Sequence, residues 1–445
     1  MTAKEKFYHV TVLSNFARGY DKYARVYSKA GIPESKFPDR FFLLRDDELD
    51  IGIDKARRLL AKLDLPGNRM LALRTRLASD QLKPNLSNGL GRFVESPAIH
   101  VDGVAFVEAD ASGGRLQPVS VEEVGALSLQ LLAPELYEYP RIQPRSFSIL
   151  PIARGCQASC PFCFSEASAS AEQEQGQLDL MRVRSFATTA RERGAERFVI
   201  TGGGEPGLVR HELLCEAIAT GRETLGKSVL ITNGHHLARR APAALGTALA
   251  DYARAGLGVL AISRHHHNED TSERLMNLRS DIGGVARVWR TGRAGWPNMR
   301  LRFTCVLQRG GVDDMMALES YLDWAVGLGV PEICFKELYV STSVESVYHR
   351  HSANEWSHAN QVPLALILEF AARHDFAEVA RLPWGAPVFR GRWRGAPLQI
   401  AAYTEPSLFW ERTHGIARSW NLMSDGRCLV SLEDRASEIS LNAPA

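Results

Sequence analysis

Residues 197–233 read RFVITGGGEPGLVRHELLCEAIATGRETLGKSVLITN, and they contain one complete strand–helix–strand unit. A short apolar run is followed by a glycine turn, a helix-forming stretch near 209–225 and a second apolar run, SVLITN. Short, near-continuous apolar strands joined through a helix are what parallel pairing with a right-handed crossover requires. The same unit recurs on both sides. Upstream, SFSILPI from Ser146 reads as a strand, followed by a polar loop and a helix at 179–194. Downstream, a helix at 241–255 leads to GVLAIS, a helix after Thr271 to LRFTCVL, and a helix near 313–327 to EICFKEL. These six β/α units between residues 146 and 340 predict an α/β fold, a partial (β/α)6 TIM-like barrel. Eight units would need contributions from beyond residue 340, where the rhythm fades.

Residues 1–140 read as an N-terminal α/β extension of unassigned role. Ile53, Ala56, Leu60 and Leu63 form a helical stripe, Val101–Val107 alternates like a strand, and Val119–Leu132 reads as a helix. Residues 341–445 read as barrel completion with a small C-terminal β-rich appendage. There an apolar helix is expected near 363–373, and RLPWGAPVFRGRWRG (381–395) reads as an irregular connection because Pro and Gly interrupt it. In SWNLMSDGRCLVSLED (419–434) Asp425-Gly426 separates two β-prone runs, a hairpin signal.

The 445 residues carry 53 Lys and Arg against 51 Asp and Glu, a formal charge of +2. That balance gives no electrostatic basis for nucleic-acid capture. The N-terminus MTAKEKFYHVTVLSNFARGY has no secretory apolar core, and no segment approaches the roughly 18 to 20 apolar residues of a membrane span. Seven cysteines, three of them packed into eight positions, do not make a disulfide framework. The expected setting is reducing and cytoplasmic, away from membranes.

The chemistry starts in ARGCQASCPFCF (153–164), where Cys156, Cys160 and Cys163 are spaced C-x3-C-x2-C directly after the first strand. Three thiolates on one loop can hold three irons of a cubane and leave the fourth open to an outside ligand. Zinc is the alternative: a tetrahedral site wants a fourth ligand, which His211 or one of His265, His266 and His267 would have to supply. In TGGGEPG (201–207), Gly202, Gly204 and Gly207 also satisfy a dinucleotide fingerprint. That reading needs a carboxylate at the end of the next strand, which instead ends Thr232-Asn233-Gly234.

With Phe162 just before the third cysteine, residues 146–340 resemble the radical S-adenosylmethionine (radical SAM) superfamily. The resemblance implies a [4Fe–4S] cluster on Cys156, Cys160 and Cys163, with S-adenosylmethionine as second cofactor. It implies that Gly203, Gly204 and Glu205 meet the amino group of the cofactor's methionine, and that Asn233 belongs to the third-strand ending of the family. Ser263 and Arg264 would make polar contacts to its ribose and carboxylate, and Val306 would meet the adenine. Cys305, Cys334 and Tyr339, on or just after the last two strands, are candidate hydrogen donors; Lys336 and Glu337 would bind substrate or pair with each other. Cys215, Cys305, Cys334 and Cys428 are too dispersed to suggest a second cluster. The expected partners are a small-molecule substrate and an electron donor such as flavodoxin or ferredoxin. Two alternatives stand beside this: a maturase whose residues 1–140 recognise a peptide or protein, and a non-catalytic iron–sulfur or zinc scaffold.

Overall fold

A computed structural model describes residues 139–166, 177–341, 346–348, 351–406, 411 and 415–441, together with the backbone of four strands nearer the N-terminus. The chain divides into two compact units, Met1–Glu138 with Thr342–Val344, and Tyr139–Ser341 with Glu345–Ala445. In the first, strands β1 (Lys6–Leu13), β2 (Phe41–Arg45), β3 (Arg69–Leu77) and β4 (Ile99–Glu108) form an antiparallel sheet in the order β2-β1-β3-β4. The strand expected at Val101–Val107 is β4. The helices expected around Ile53 and over Val119–Leu132 lie outside the described residues.

The second unit begins with β5 (Gln143–Pro144) and then carries the predicted rhythm. Strands β6 (Phe147–Leu150), β7 (Phe198–Ile200), β8 (Ser228–Thr232), β9 (Leu257–Ser263), β10 (Arg300–Leu307) and β11 (Glu332–Glu337) pair in chain order, all parallel. Between them run α1 (Leu180–Glu192), α2 (His211–Leu225), the short α3 (His235–Ala238), α4 (Pro242–Arg254), α5 (Glu269–Met276), α6 (Ile282–Gly292) and α7 (Met315–Gly327). Local chemistry sets the helix ends. Asp179, Asn268, Asp281 and Asp314 cap the backbone N–H groups of α1, α5, α6 and α7, and Gly226, at φ 70°, terminates α2.

Beyond β11, α8 (Ser352–Asn360) and α9 (Ala365–Arg373) precede β12 (Ala377–Arg381), β13 (Pro387–Trp393) and β14 (Ala396–Tyr403). Strand β14 adds to β11 in parallel, with β13 and β12 antiparallel outside it. The stretch read as an irregular connection is therefore a strand over 387–393. Its Pro stands at the first strand position, where a missing N–H costs least. Arg394 and Gly395 take φ 49° and 81°, as a two-residue hairpin turn with positive φ at both positions needs. Asp323 holds Arg394 through bonds of 2.9 and 3.1 Å.

The C-terminal β region joins the other edge of the same sheet. Strand β15 (Ile416–Ala417) pairs with β5, and β16 (Trp420–Met423) lies parallel to β6. Asp425 and Gly426 then turn the chain into β17 (Cys428–Leu429), followed by β18 (Glu438–Ile439). The sheet order is β12-β13-β14-β11-β10-β9-β8-β7-β6-β16-β17-β18, and no described pairing joins β14 to β16. The barrel is open, with later segments extending both edges.

Register and alternation separate the two faces. Phe147, Phe198, Leu230, Leu260, Phe303, Cys305 and Phe335 join the helices in one large core. Val199, Val229, Val259 and Ala261 form a smaller apolar patch on the other, inner face. Register puts Ser148, Ser263, Arg302, Thr304, Cys334 and Lys336 on that inner face too. On the outer side α2 packs so closely on β7 that a Cβ on Gly221 would lie 2.4 Å from a Phe198 ring carbon.

Gly221→Ala therefore sets about 1 kcal/mol of helix propensity against about 1–3 kcal/mol of overpacking. A lower denaturant midpoint with unchanged slope is expected; an unchanged or higher midpoint would show that this contact does not constrain the fold.

Candidate functional site

Parallel strands place all their C-terminal loops at one end of the sheet, where sites of this architecture are built. The cysteine loop leaves β6 there and is stitched to the turn after β7. Gly204 N donates to Ile152 O at 3.0 Å and Glu205 N to Gly155 O at 2.9 Å. The approach is so close that a Cβ on Gly204 would lie 2.2 Å from Gly155 O. Only glycine fits at this position. The loop's far side is held by the last residue of α5 and the one after it: Ser159 N donates to Met276 O, and Asn277 Nδ2 donates to Ser159 O, both at 2.9 Å.

Cys156, Cys160 and Cys163 all carry free thiols, with Cys156 and Cys163 exposed. A turn with Cys163 N donating to Cys160 O at 3.0 Å folds the second and third back towards each other. Burial, and then the charges of Cys163 and Cys156, push the Cys160 thiol up to about 12. Cys156 is also raised, chiefly by burial. Thiols that disfavour each other's ionisation form a donor set that a bound cation would stabilise in its deprotonated form. Among the described residues, no three His, Cys, Asp or Glu side chains converge on a single metal-ion position. A cubane asks for a different arrangement, because each thiolate binds its own iron. Three thiolates on one loop are the number that a cube with an open iron takes; His211, named as a fourth ligand for zinc, lies on α2 with Nε2 3.0 Å from Asp251 Oδ2.

Glu205, only 3% exposed, is where the turns after β7 and β8 meet. Its carboxylate accepts from Gly207 N at 2.7 Å, from Asn233 N at 2.8 Å and from the Thr232 hydroxyl. Burial raises its pKa, while these three donors act in the opposite direction. Behind it His236, lowered to about 4 mainly by burial, stands with Nδ1 3.9 Å from Glu205 Oε1 and Nε2 3.1 Å from the Tyr252 hydroxyl. The expectation of a carboxylate offered to a cofactor ammonium thus meets a carboxylate already bonded within the protein. Asn233 does reach the cysteine loop, donating through Nδ2 to Cys156 Sγ at 3.5 Å and to Gln157 Oε1 at 3.1 Å.

The aromatic residues of the loop have defined partners. Phe162 sits 5.3 Å from the His265 ring, edge to face, and 5.9 Å from Trp356 of α8. His265 Nδ1 accepts from Val306 N at 3.0 Å, which ties the end of β10 to the loop's aromatic ring. Phe164 stacks on Tyr348 at 4.4 Å and meets Tyr339 edge to face at 6.0 Å. Neither Trp356 nor Tyr348 was legible as a site residue; both follow β11, Trp356 on α8 and Tyr348 just before it.

Three expectations need correction. Arg264 is 4% exposed and is not free to pair with an outside carboxylate. Its guanidinium donates to His266 O at 2.8 Å, His267 O at 3.2 Å and Glu269 at 3.2 Å, and lies 5.3 Å from the Trp324 ring centroid. It holds the histidine loop in shape. Cys305 points into the helix-side core, fully buried, with its thiol raised by burial, so it does not face the inner space. Lys336 pairs with Glu405 rather than with Glu337. Of the remaining candidates, Cys334 is on the inner face, opposite Thr304 in register, and Ser263 aligns with Thr304 on the other side. The Tyr339 hydroxyl donates to Glu433. The three histidines diverge as their adjacency suggests: His265 faces Phe162, while His266 and His267 stack on each other at 4.3 Å.

No family model matches the chain, and no curated protein matches it. Solved structures do. SuiB of Streptococcus suis bound to S-adenosylmethionine aligns with 74% of this chain and 66% of its own, at 14% identity and TM-score 0.41. A radical SAM methyltransferase from Sphaerobacter thermophilus aligns with 81% of this chain and 91% of its own, at 15% identity and TM-score 0.35. Coproporphyrinogen III oxidase (HemN) from Escherichia coli, a radical SAM enzyme, aligns with 55% of each chain at 11% identity and TM-score 0.33. No described helix is long and apolar enough to cross a membrane.

Glu205→Ala would leave the buried Asn233 N–H, the half-buried Gly207 N–H and the Thr232 hydroxyl without their acceptor, about 1–3 kcal/mol for each buried donor stranded. A fall of at least about 2 kcal/mol in unfolding free energy is expected by urea titration, on the same basis. A change within error would mean that the carboxylate does not join the two turns.

Proposed function

We propose that this chain is a radical SAM enzyme acting on a small-molecule substrate. The observation that supports this most is the cysteine loop itself: three free thiols at the C-terminal mouth of an open parallel sheet, tied by backbone bonds to a Gly-Gly-Glu turn and by Asn233 to a Thr-Asn-Gly turn. Cys156, Cys160 and Cys163 would hold the cluster. Bound there, a [4Fe–4S] cluster with an open iron would supply the electron that cleaves S-adenosylmethionine to methionine and a 5′-deoxyadenosyl radical.

The chain's own residues then have separate tasks. Asn233 Nδ2 donates to the Cys156 sulfur, and a hydrogen bond to a ligating sulfur withdraws charge from it and raises the reduction potential. Glu205 fixes the turns after β7 and β8 relative to each other, so the backbone carbonyls of Gly203 and Gly204, rather than its carboxylate, are left to meet the cofactor's ammonium. Val306 and His265 set the Phe162 ring, which closes one side of the loop against Trp356 and limits water entry there. Cys334, on the inner face, is the hydrogen donor we retain from the sequence. An electron donor of the flavodoxin or ferredoxin type would reduce the cluster.

Alanine at Cys156, Cys160 or Cys163 tests the reading. Anaerobically reconstituted wild type is expected to hold about four irons per chain and to form 5′-deoxyadenosine with dithionite and S-adenosylmethionine. Each variant should lose most of the iron and all of the product. Full 5′-deoxyadenosine formation by any one variant would overturn the assignment.

A further inference from the structure

Strands β14 and β16 are the unjoined edges of the parallel sheet, and side chains rather than backbone bonds span the gap between them. Glu405, two residues past β14, accepts from Lys336 of β11 with one oxygen and from Arg418, two residues before β16, with the other. Burial alone would raise the Glu405 pKa, but Arg418 and Lys336 outweigh it and hold the group down at about 2. Both cations are thereby turned towards one carboxylate.

Two further carboxyl groups share the space. Glu411 is 7% exposed, and its hydrogen bond among the described residues comes from Arg418 N at 2.6 Å to one oxygen. Glu433, also 7% exposed, takes the hydroxyls of Tyr339, Ser341 and Ser346. Among the described residues no cation forms an ion pair with either. Asn421 spends its amide N–H groups on Ser419 O and Leu429 O, which leaves its carbonyl oxygen as a further acceptor. A cavity lies among these groups, lined by Tyr348, Glu405, Glu411, Arg418, Asn421 and Glu433. Tyr348 is the residue on which Phe164 stacks, one position beyond Cys163, so one wall of the cavity touches the end of the cysteine loop.

The lining is short of positive charge: among the described residues it holds three carboxyl groups and one cation, Arg418, whose guanidinium is committed to Glu405. A buried carboxyl in that position stays protonated until a cation arrives, because an unpaired ionised carboxylate out of water is strongly disfavoured. Glu411 behaves this way, pushed up to about 8 by burial against the pull of Arg418, with the Glu433 and Glu405 charges adding to the rise. Glu433 is raised by burial too.

We propose that this cavity binds the ammonium group of a small polar amine, with Glu411 and the Asn421 carbonyl as its acceptors. Calling that amine the substrate rests on the radical-enzyme reading above; the binding itself does not.

Full-length protein as purified, without added S-adenosylmethionine or reductant, is titrated calorimetrically at pH 7 with ethanolamine, ethylene glycol and glycolate. These probes match in size and differ in charge. Ethanolamine is expected to bind about tenfold or more tighter than ethylene glycol, as charged hydrogen bonds to buried carboxylates predict. Its ammonium would favour ionised Glu411, so binding should release a proton and the observed heat should vary with the buffer's ionisation heat. Glu411→Gln keeps an acceptor for the Arg418 N–H; with circular dichroism unchanged, it should weaken ethanolamine about tenfold and abolish the buffer dependence. A preference for glycolate would make this an anion site of Arg418 and Lys336 and overturn the proposal. Equal affinity for the three probes, or no ethanolamine binding, would overturn it as well. Because no cluster chemistry is read, failure here leaves the 5′-deoxyadenosine result standing, and failure there leaves this one.

Discussion

Two backbone hydrogen bonds, from Gly204 and Glu205 to the carbonyls of Ile152 and Gly155, determine where the cysteine loop can lie. They form only because Gly204 has no side chain; a Cβ there would stand 2.2 Å from the Gly155 oxygen. With that approach fixed, the loop has one course out of β6, past Asn233 on one side and α5 on the other. Glu205 fixes the next turn in sequence, since its carboxylate bonds the backbone of Asn233 and the hydroxyl of Thr232. Three strand ends are thus coupled through one glycine and one buried acid, and the positions of the cysteines follow.

A buried carboxylate is a costly joint unless its lone pairs are used. Here two backbone donors and a hydroxyl use them, and a neutral histidine closes the rear. The seam of the barrel is built on the same principle with a different outcome. Glu405 is satisfied by two cations, whereas Glu411 and Glu433 share their space without one. Glu433 is instead taken by three hydroxyls, and Glu411 is left with one backbone donor among the described residues.

The strand–helix rhythm was legible because buried parallel strands are continuous apolar runs and the helices between them carry clear caps. That same continuity hid the orientation of Cys305: a strand apolar on both faces does not reveal which side meets the helices. Strand β13 was missed because PVFRGRW combines a Pro, a Gly and two Arg with few apolar residues, and its turn relies on an arginine at positive φ. The cysteine spacing, the glycine turn and Asn233 could be read as local motifs. Arg264 could not, since its role depends on the shape of the loop that its guanidinium bonds. The groups at the seam are separated by up to 97 residues between Lys336 and Glu433, and only the way β14 and β16 extend opposite edges of the sheet brings them together.

The proposed chemistry requires a cube bound by three protein sulfurs with one iron left for an outside ligand. Electron paramagnetic resonance of the dithionite-reduced, reconstituted protein, with and without S-adenosylmethionine labelled with 15N at its amino group, addresses that directly. A reduced [4Fe–4S] signal whose g-values shift on adding the cofactor, with a resolved 15N hyperfine coupling, is the result the account predicts. A signal unchanged by the cofactor and without coupling would mean that every iron is already fully ligated by protein, and would contradict it.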